Sequence, residues 1–193
     1  MVMSNAHTVF FVGKPASGKG TQAELLSKKT GWSVISTSGG LRELVAQGGA
    51  LSDKLKETMD AGYLTPSWLA AYANLKALFA LPESGDVIFD GAHRSIDEAR
   101  TVVEAVQWLG RGLHIIHLVV PDEEVRARIA LRRETEGRAD DTPEAVEKRI
   151  QAYYELTDKS IAFLRTEGLL VEINGVGARE AIAAEIDAAL GIA

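Results

Sequence analysis

The chain contains no cysteine, which excludes disulfides and any metal centre built on thiolates, the cysteine type of zinc site included. It also lacks a long apolar run: no uninterrupted stretch approaches the ~20 residues of a membrane-spanning helix. The opening Met1-Val2-Met3-Ser4-Asn5-Ala6-His7 has neither the basic start nor the apolar middle of a signal peptide and reads as a short tail. These absences predict a cytoplasmic protein with no membrane partner. Positive charge is in deficit, with 21 Lys and Arg against 27 Asp and Glu, for a net charge of −6. A broad basic surface, which nucleic-acid binding requires, is therefore not expected, and any anion site must be local. No internal repeat or low-complexity linker is visible.

What is present is an ordinary globular composition. The 193 residues are 46% hydrophobic and 25% charged, which suits one domain with a small insertion. Short apolar runs at 8–12, 33–36, 87–89, 113–120 and 169–173 predict strands. They are near-continuous rather than alternating, the pattern of strands buried on both faces. Between them the sequence predicts helices at 22–29, 40–47, 51–61, 66–78, 96–109, 123–133, 143–165 and 178–190. Strands separated by crossover helices predict an α/β, doubly wound parallel five-stranded sheet flanked by helices. The polar stretch 134–141 has no apolar periodicity and is expected to be a mobile loop.

The strongest chemical signal is Gly13-Lys14-Pro15-Ala16-Ser17-Gly18-Lys19-Gly20-Thr21, directly after the first apolar run. Glycines let backbone N–H groups turn inward around an anion, Lys19 adds a mobile positive charge, and a helix starting near Gly20 aims its positive end at the same point. The spacing fits G-x-x-x-x-G-K, except that the hydroxyl expected next to the lysine stands one place later, at Thr21. The run Val87-Ile88-Phe89 ends in Asp90, placed to hold Mg²⁺ through its hydration shell at a sheet edge. An aspartate there is, taken alone, more often a turn or cap. Arg42, Arg94, Arg128, Arg132, Arg138 and Arg149 follow strands or lie near the polar stretch. Arginine's planar fork suits phosphate, so as a set they suggest a site for more than one phosphate chain.

In this order and spacing, the residues Gly18-Lys19-Gly20-Thr21-Gln22, Ile35-Ser36-Thr37 with Leu41-Arg42, Met59-Asp60-Ala61-Gly62, and Asp90-Gly91 with Arg94 resemble adenylate kinases and close nucleoside monophosphate kinases. So do Pro121-Asp122-Glu123 with Arg128 and Arg132-Arg133, and Gly137-Arg138-Ala139-Asp140-Asp141 with Arg149. The resemblance runs from Val9 to the C-terminus and is to the short-lid members of a family in which the displaced hydroxyl at Thr21 is usual. It implies a P-loop NTPase-like fold with a core of 7–36, 80–133 and 142–193, an insertion binding the nucleoside monophosphate at about 37–79, and a short lid at about 134–141.

The resemblance also implies roles. Ala16, Ser17, Gly18, Lys19, Gly20 and Thr21 would cradle ATP, Arg128 would pack on its base, and Asp90 would orient hydrated Mg²⁺. Thr37, Arg42, Gly91, Arg94 and Glu98 would form the acceptor site. Arg132, Arg138 and Arg149 would converge on the transferring phosphoryl group, with Arg138 and Arg149 also reaching the acceptor. It implies ATP-dependent phosphoryl transfer to AMP, ATP/ADP and a nucleoside monophosphate as partners, Mg²⁺ without zinc, and a monomer.

The sequence departs from the family's pattern at three places. Gly39 replaces an aspartate that supports the metal's water network. Ala92 and His93 replace an aromatic and a proline, which predicts a less rigid loop for Arg94, with His93 expected at the surface. Glu98 replaces a glutamine that reads adenine. An ionised carboxylate only accepts hydrogen bonds, so it would suit guanine or the cytosine amino group better than adenine. Either the acceptor preference shifts toward CMP, UMP or a guanine nucleotide, or Glu98 turns to solvent as a first-turn helix acid. A third reading, from another class, is a nucleotide-binding sensor that has lost turnover. A GTPase-like switch is disfavoured, because no guanine-reading Asn-Lys-x-Asp segment occurs.

Overall fold

The computed structural model describes residues 6–61, 63–136 and 142–192. Five strands, β1 (His7–Gly13), β2 (Ser33–Ser36), β3 (Val87–Asp90), β4 (Gly112–Val119) and β5 (Leu170–Asn174), form one sheet in the order β2-β3-β1-β4-β5. All neighbours are parallel, with Phe10 level with Phe89 on one side and with Ile115 on the other. This is the doubly wound sheet expected from the apolar runs. The chain leaves β1 toward β2 and leaves β4 toward β5, so a crevice opens at the carboxyl ends of these central strands, where α/β sheets place ligands.

Two apolar layers cover the sheet. On one face Phe10, Phe89, Val102, Val106, Ile161 and Leu164 pack together, which seats α4 (Ser67–Phe79), α5 (Ile96–Trp108) and α8 (Asp158–Thr166). On the other, Val9, Phe11, Ile88 and Ile116 meet Leu26 of α1 (Lys19–Thr30) and Ile182, Ile186 and Leu190 of α9 (Arg179–Leu190). Phe10, Phe11 and Phe89 are wholly buried, and truncating such a side chain to Ala costs about 3–5 kcal/mol. A separate small core of Leu41, Leu44, Leu55, Leu69 and Ala73 holds α2 (Thr37–Ala46), α3 (Ala50–Asp60) and α4 together. The three helices fall within residues 37–79.

Several element ends differ from the sequence expectation, each for a local reason. Helix α1 starts at Lys19 because Gly18 takes φ 99°, a left-handed turn that lets the loop close directly into the helix. Helix α2 starts at Thr37 rather than at 40, because the Ser36 hydroxyl accepts the Gly39 N–H as a cap. The expected helix 143–165 is divided by a π-turn, Tyr153–Thr157, between α7 (Pro143–Ala152) and α8. Helix α6 runs Asp122–Glu136, so the first residues of the stretch 134–141 are helical and correct the mobile-loop reading there. The rest of that stretch, Arg138 included, lies outside the described residues. Among the described residues no helix is long and apolar enough to cross a membrane.

Candidate active site

The crevice holds a cleft of ≈ 670 Å³. Gly13, Pro15, Ala16 and Lys19 line it from the loop after β1, Gly91 and Arg94 from the turn after β3, and Arg42 from α2. Arg132 of α6 and Arg149 of α7 face it from the other side. Cations far apart in sequence therefore surround one space in a chain of net negative charge. Such a concentration in one cleft favours a polyanion.

The loop is shaped by its backbone. Ala16 and Gly18 take φ 55° and 99°, and Ser17 N–H donates to the Lys14 carbonyl at 3.2 Å. Lys19 Nζ arches back over the loop and donates to the carbonyls of Gly13 at 3.0 Å and Lys14 at 2.6 Å. Burial pushes the Lys19 ammonium down to about 8; Asp90 opposes the shift, while Arg94 and Arg132 add to it. An anionic ligand would favour the charged form. Residues 17–21 close the loop and form the first turn of α1. The placement of Gly20 has a visible consequence: a Cβ there would stand 3.4 Å from Asp90 Oδ2, so glycine leaves that carboxylate uncovered toward the loop.

Asp90 is the last residue of β3, beside the loop as the sequence placed it. Among the described residues no group of three or more His, Asp or Glu side chains could enclose a metal. A single carboxylate beside the loop, left uncovered by Gly20, still fits Mg²⁺, which keeps several of its own waters. Gly39 N–H donates to the Ser36 hydroxyl, and a Cβ at Gly39 would meet only Ser36 atoms, at 3.5 Å and beyond. A Cβ at Gly39 would thus make only ordinary van der Waals contact.

Arg128 takes a different place from the other arginines and does not line the cleft. Its guanidinium pairs with Glu124 at 2.7 Å and donates to the carbonyls of Ser17 at 3.3 Å and Gly175 at 2.8 Å. It thereby ties the loop's outer flank to the turn after β5. Gly175 was not evident as a site residue from sequence. A Cβ on it would lie 2.6 Å from Val120 Cγ2 and 3.3 Å from the Ser17 carbonyl, so the loop rests on a bare backbone. The only sequence signal for this was a glycine directly after an apolar strand. Lys14 is likewise fixed, by an ion pair with Asp122, which also accepts from the Tyr154 hydroxyl at 2.9 Å.

The acceptor-side residues divide. Arg42, Gly91 and Arg94 line the cleft, as do Met59, Asp60 and Ala61; Gly62 lies outside the described residues. Arg94 Nε donates to the Gly91 carbonyl at 2.8 Å, and a Cβ on Gly91 would come within 2.9 Å of the Arg94 guanidinium. Gly91 also has φ 92°, a conformation that strains any other residue, and a side chain there would displace the Arg94 guanidinium. Thr37 is buried, and its hydroxyl donates to Asn74 Oδ1 at 2.9 Å instead of facing the cleft.

Glu98 corrects both outcomes foreseen for it. It is 1% exposed and neither lines the cleft nor reaches solvent. Its carboxylate accepts the N–H groups of His93 and Arg94 and the Asn74 amide, each at 3.0 Å. Burial raises the carboxyl to about 7 against the opposing pull of those donors. His93 is corrected too: it is fully buried, with φ 61°, and its ring lies 4.4 Å from that of Phe10. Neither ring nitrogen has a hydrogen-bond partner, and burial lowers its pKa to about 3, so the ring is neutral. Ala92 is also buried. The expectation of a looser loop from Ala92 and His93 therefore meets a turn packed into the core.

Comparison with known proteins agrees with this geometry. Residues 11–169 match the family model described as adenylate kinase. The chain is 35% identical over 191 residues to the adenylate kinase of Thermus thermophilus, covering 98% of this chain and 100% of that protein. It is 36% identical over 183 residues to that of Phocaeicola vulgatus, covering 94% and 97%. To that of Hyphomonas neptunium it is 35% identical over 179 residues, covering 92% and 95%. With a glycine-rich loop between β1 and α1, an arginine-lined cleft beside it and similarity over nearly its whole length, the chain belongs to the adenylate kinase family.

Proposed function

We propose that this protein transfers the γ-phosphoryl group of ATP to AMP, giving two ADP. The observation that carries the reading is the convergence of Lys19 with Arg42, Arg94, Arg132 and Arg149 on one cleft beside the loop after β1. The loop amides and Lys19 hold the donor phosphates. Arg42 and Arg94 hold the phosphate of AMP, so that one of its oxygens faces the γ-phosphorus in line with the bond to be broken. That oxygen forms the new P–O bond, the bond between the γ-phosphorus and the β–γ bridging oxygen breaks, and ADP leaves with that oxygen. Arg132, Arg149 and, from its sequence position, Arg138 spread the charge that develops on the equatorial oxygens. No side-chain nucleophile is needed, because positioning and charge compensation do most of the work in this chemistry.

Asp90 would hold hydrated Mg²⁺, which when bound neutralises charge on the donor phosphates. Arg128, from its contacts with the loop flank, supports the donor side and would present its guanidinium plane to the adenine. With Glu98 turned inward, the motive for a changed base preference is gone, and AMP is the acceptor this reading favours. The protein would work as a cytoplasmic monomer; sedimentation of the purified chain with a dimer's mass would overturn that part.

The direct test is a coupled assay of the purified chain with ATP, Mg²⁺ and AMP. Steady ADP production is expected. Tight ATP binding with no turnover would mean a sensor rather than an enzyme.

A further inference from the structure

Between the acceptor-side arginine and the insertion lies a chain of buried polar groups that the transfer reaction does not itself use. The Thr37 hydroxyl, at the start of α2, donates to Asn74 Oδ1; Asn74 Nδ2, on α4, donates to Glu98 Oε1. Glu98, on α5, closes the chain by accepting the backbone N–H of His93 on Oε1 and that of Arg94 on Oε2. Thr37, Asn74, His93 and Glu98 are each at most 3% exposed. We infer that Glu98 is a positioning residue for the acceptor phosphate, fixing the backbone of Arg94 and linking it through Asn74 to the start of α2, and that it does not read the acceptor base.

The partners are all donors, which favours the ionised carboxylate here. Both oxygens face donors, and backbone N–H groups cannot turn into acceptors. An amide in place of the carboxylate would set its NH₂ against one of those N–H groups, leaving a buried donor unpaired. Packing of Ala92 and the His93 ring buries the turn but leaves its N–H groups to be satisfied: Gly91 and His93 both have positive φ, and the His93 ring makes no hydrogen bond. Two further bonds support the same turn from α8 and the π-turn, from the Thr157 hydroxyl to the Arg94 carbonyl and from the Ser160 hydroxyl to the Ser95 carbonyl, each at 3.2 Å. These hold the carbonyls of the turn; the Arg94 N–H points to Glu98. A shift of that N–H moves the attached guanidinium, and small misplacements of a phosphate clamp weaken capture of whatever nucleotide carries the phosphate, regardless of its base.

The inference rests on the phosphoryl-transfer reading above, and its test separates the two. Glu98→Gln and, as a second variant outside the cleft, Asn74→Ala are assayed with ATP against AMP, CMP, UMP and GMP, and AMP binding is measured by calorimetry. In both variants the acceptor KM and the AMP Kd are expected to rise about tenfold, while the KM for ATP stays within about twofold. The ratios among the four acceptors should stay at their wild-type values. In an Arg94→Ala background the calorimetric effect of Glu98→Gln should largely vanish, since the group it positions is gone. A change confined to one base in Glu98→Gln, above all a selective gain toward AMP, would overturn the inference and restore a base-reading role. Unchanged acceptor binding in Asn74→Ala would break the relay. If the wild type binds AMP but transfers nothing, the reaction reading fails, while the calorimetric arms still decide the positioning role.

Discussion

The two halves of the cleft are built differently. The half we assign to the donor comes from one contiguous segment, residues 13–21, in which backbone turns, a helix start and Lys19 fall into place through local conformation. The half we assign to the acceptor is assembled from β3, α2, α4 and α5, and its key turn is held by Glu98 and Asn74, whose side chains do not line the cleft. A local site tolerates change in its surroundings, whereas an assembled one depends on every link. Substitutions that leave the charge pattern of the cleft intact should therefore harm acceptor binding far more often than donor binding.

The largest effect should come from Lys19→Met, which removes the mobile charge from the donor half but keeps its shape. Turnover is expected to fall by about 10²–10³-fold or more, with the thermal midpoint little changed. Retained activity would show that the loop amides alone suffice and would collapse the contrast between the halves.

Next is Gly175→Ala, which tests how local the donor half is. Its Cβ would be forced against Val120 Cγ2, 2.6 Å away, next to the Ser17 carbonyl. Overpacking of this kind costs about 1–3 kcal/mol. A lowered thermal midpoint with a raised KM for ATP is expected, and no change in acceptor KM. If the acceptor KM rises instead, the loop's support and the acceptor turn are coupled in a way the geometry does not suggest.

The smallest effect concerns His93 and pH. In the unfolded chain its imidazole takes a proton near its ordinary 6.5, whereas the buried ring resists until about 3. Between these values the unfolded state binds more protons, so stability must fall as pH falls through this window and be unaffected by this group above it. Urea unfolding at pH 7 and at pH 4.5 should show that loss. His93→Leu, which keeps an apolar side chain against Phe10, should show less of it. An identical pH response in the variant would mean that His93 is not held neutral by burial.

Much of the fold was legible in the sequence because strands buried on both faces must be continuously apolar, as the runs around Phe10, Phe89 and Ile115 are. The loop was legible for a related reason: glycines at fixed offsets from a lysine constrain backbone shape whatever surrounds them. The less regular features were not. The π-turn at Tyr153–Thr157 leaves no mark in helical periodicity, and Gly175 looked like any glycine after a strand. Glu98 was the clearest case. Its place four residues after Arg94 pointed to the cleft, yet unpaired N–H groups at His93 and Arg94 drew its carboxylate inward.

By itself, then, the sequence determined the parallel sheet, the glycine-rich loop that turns from β1 into α1 and the set of cations it could gather, since apolar continuity, glycine spacing and fixed charge are properties of residues in order. Only the tertiary structure decided which polar groups face the cleft and which face one another. That choice is set by buried donors that must find acceptors, and their partners, Asn74 with Glu98 and Arg128 with Gly175, are distant in sequence.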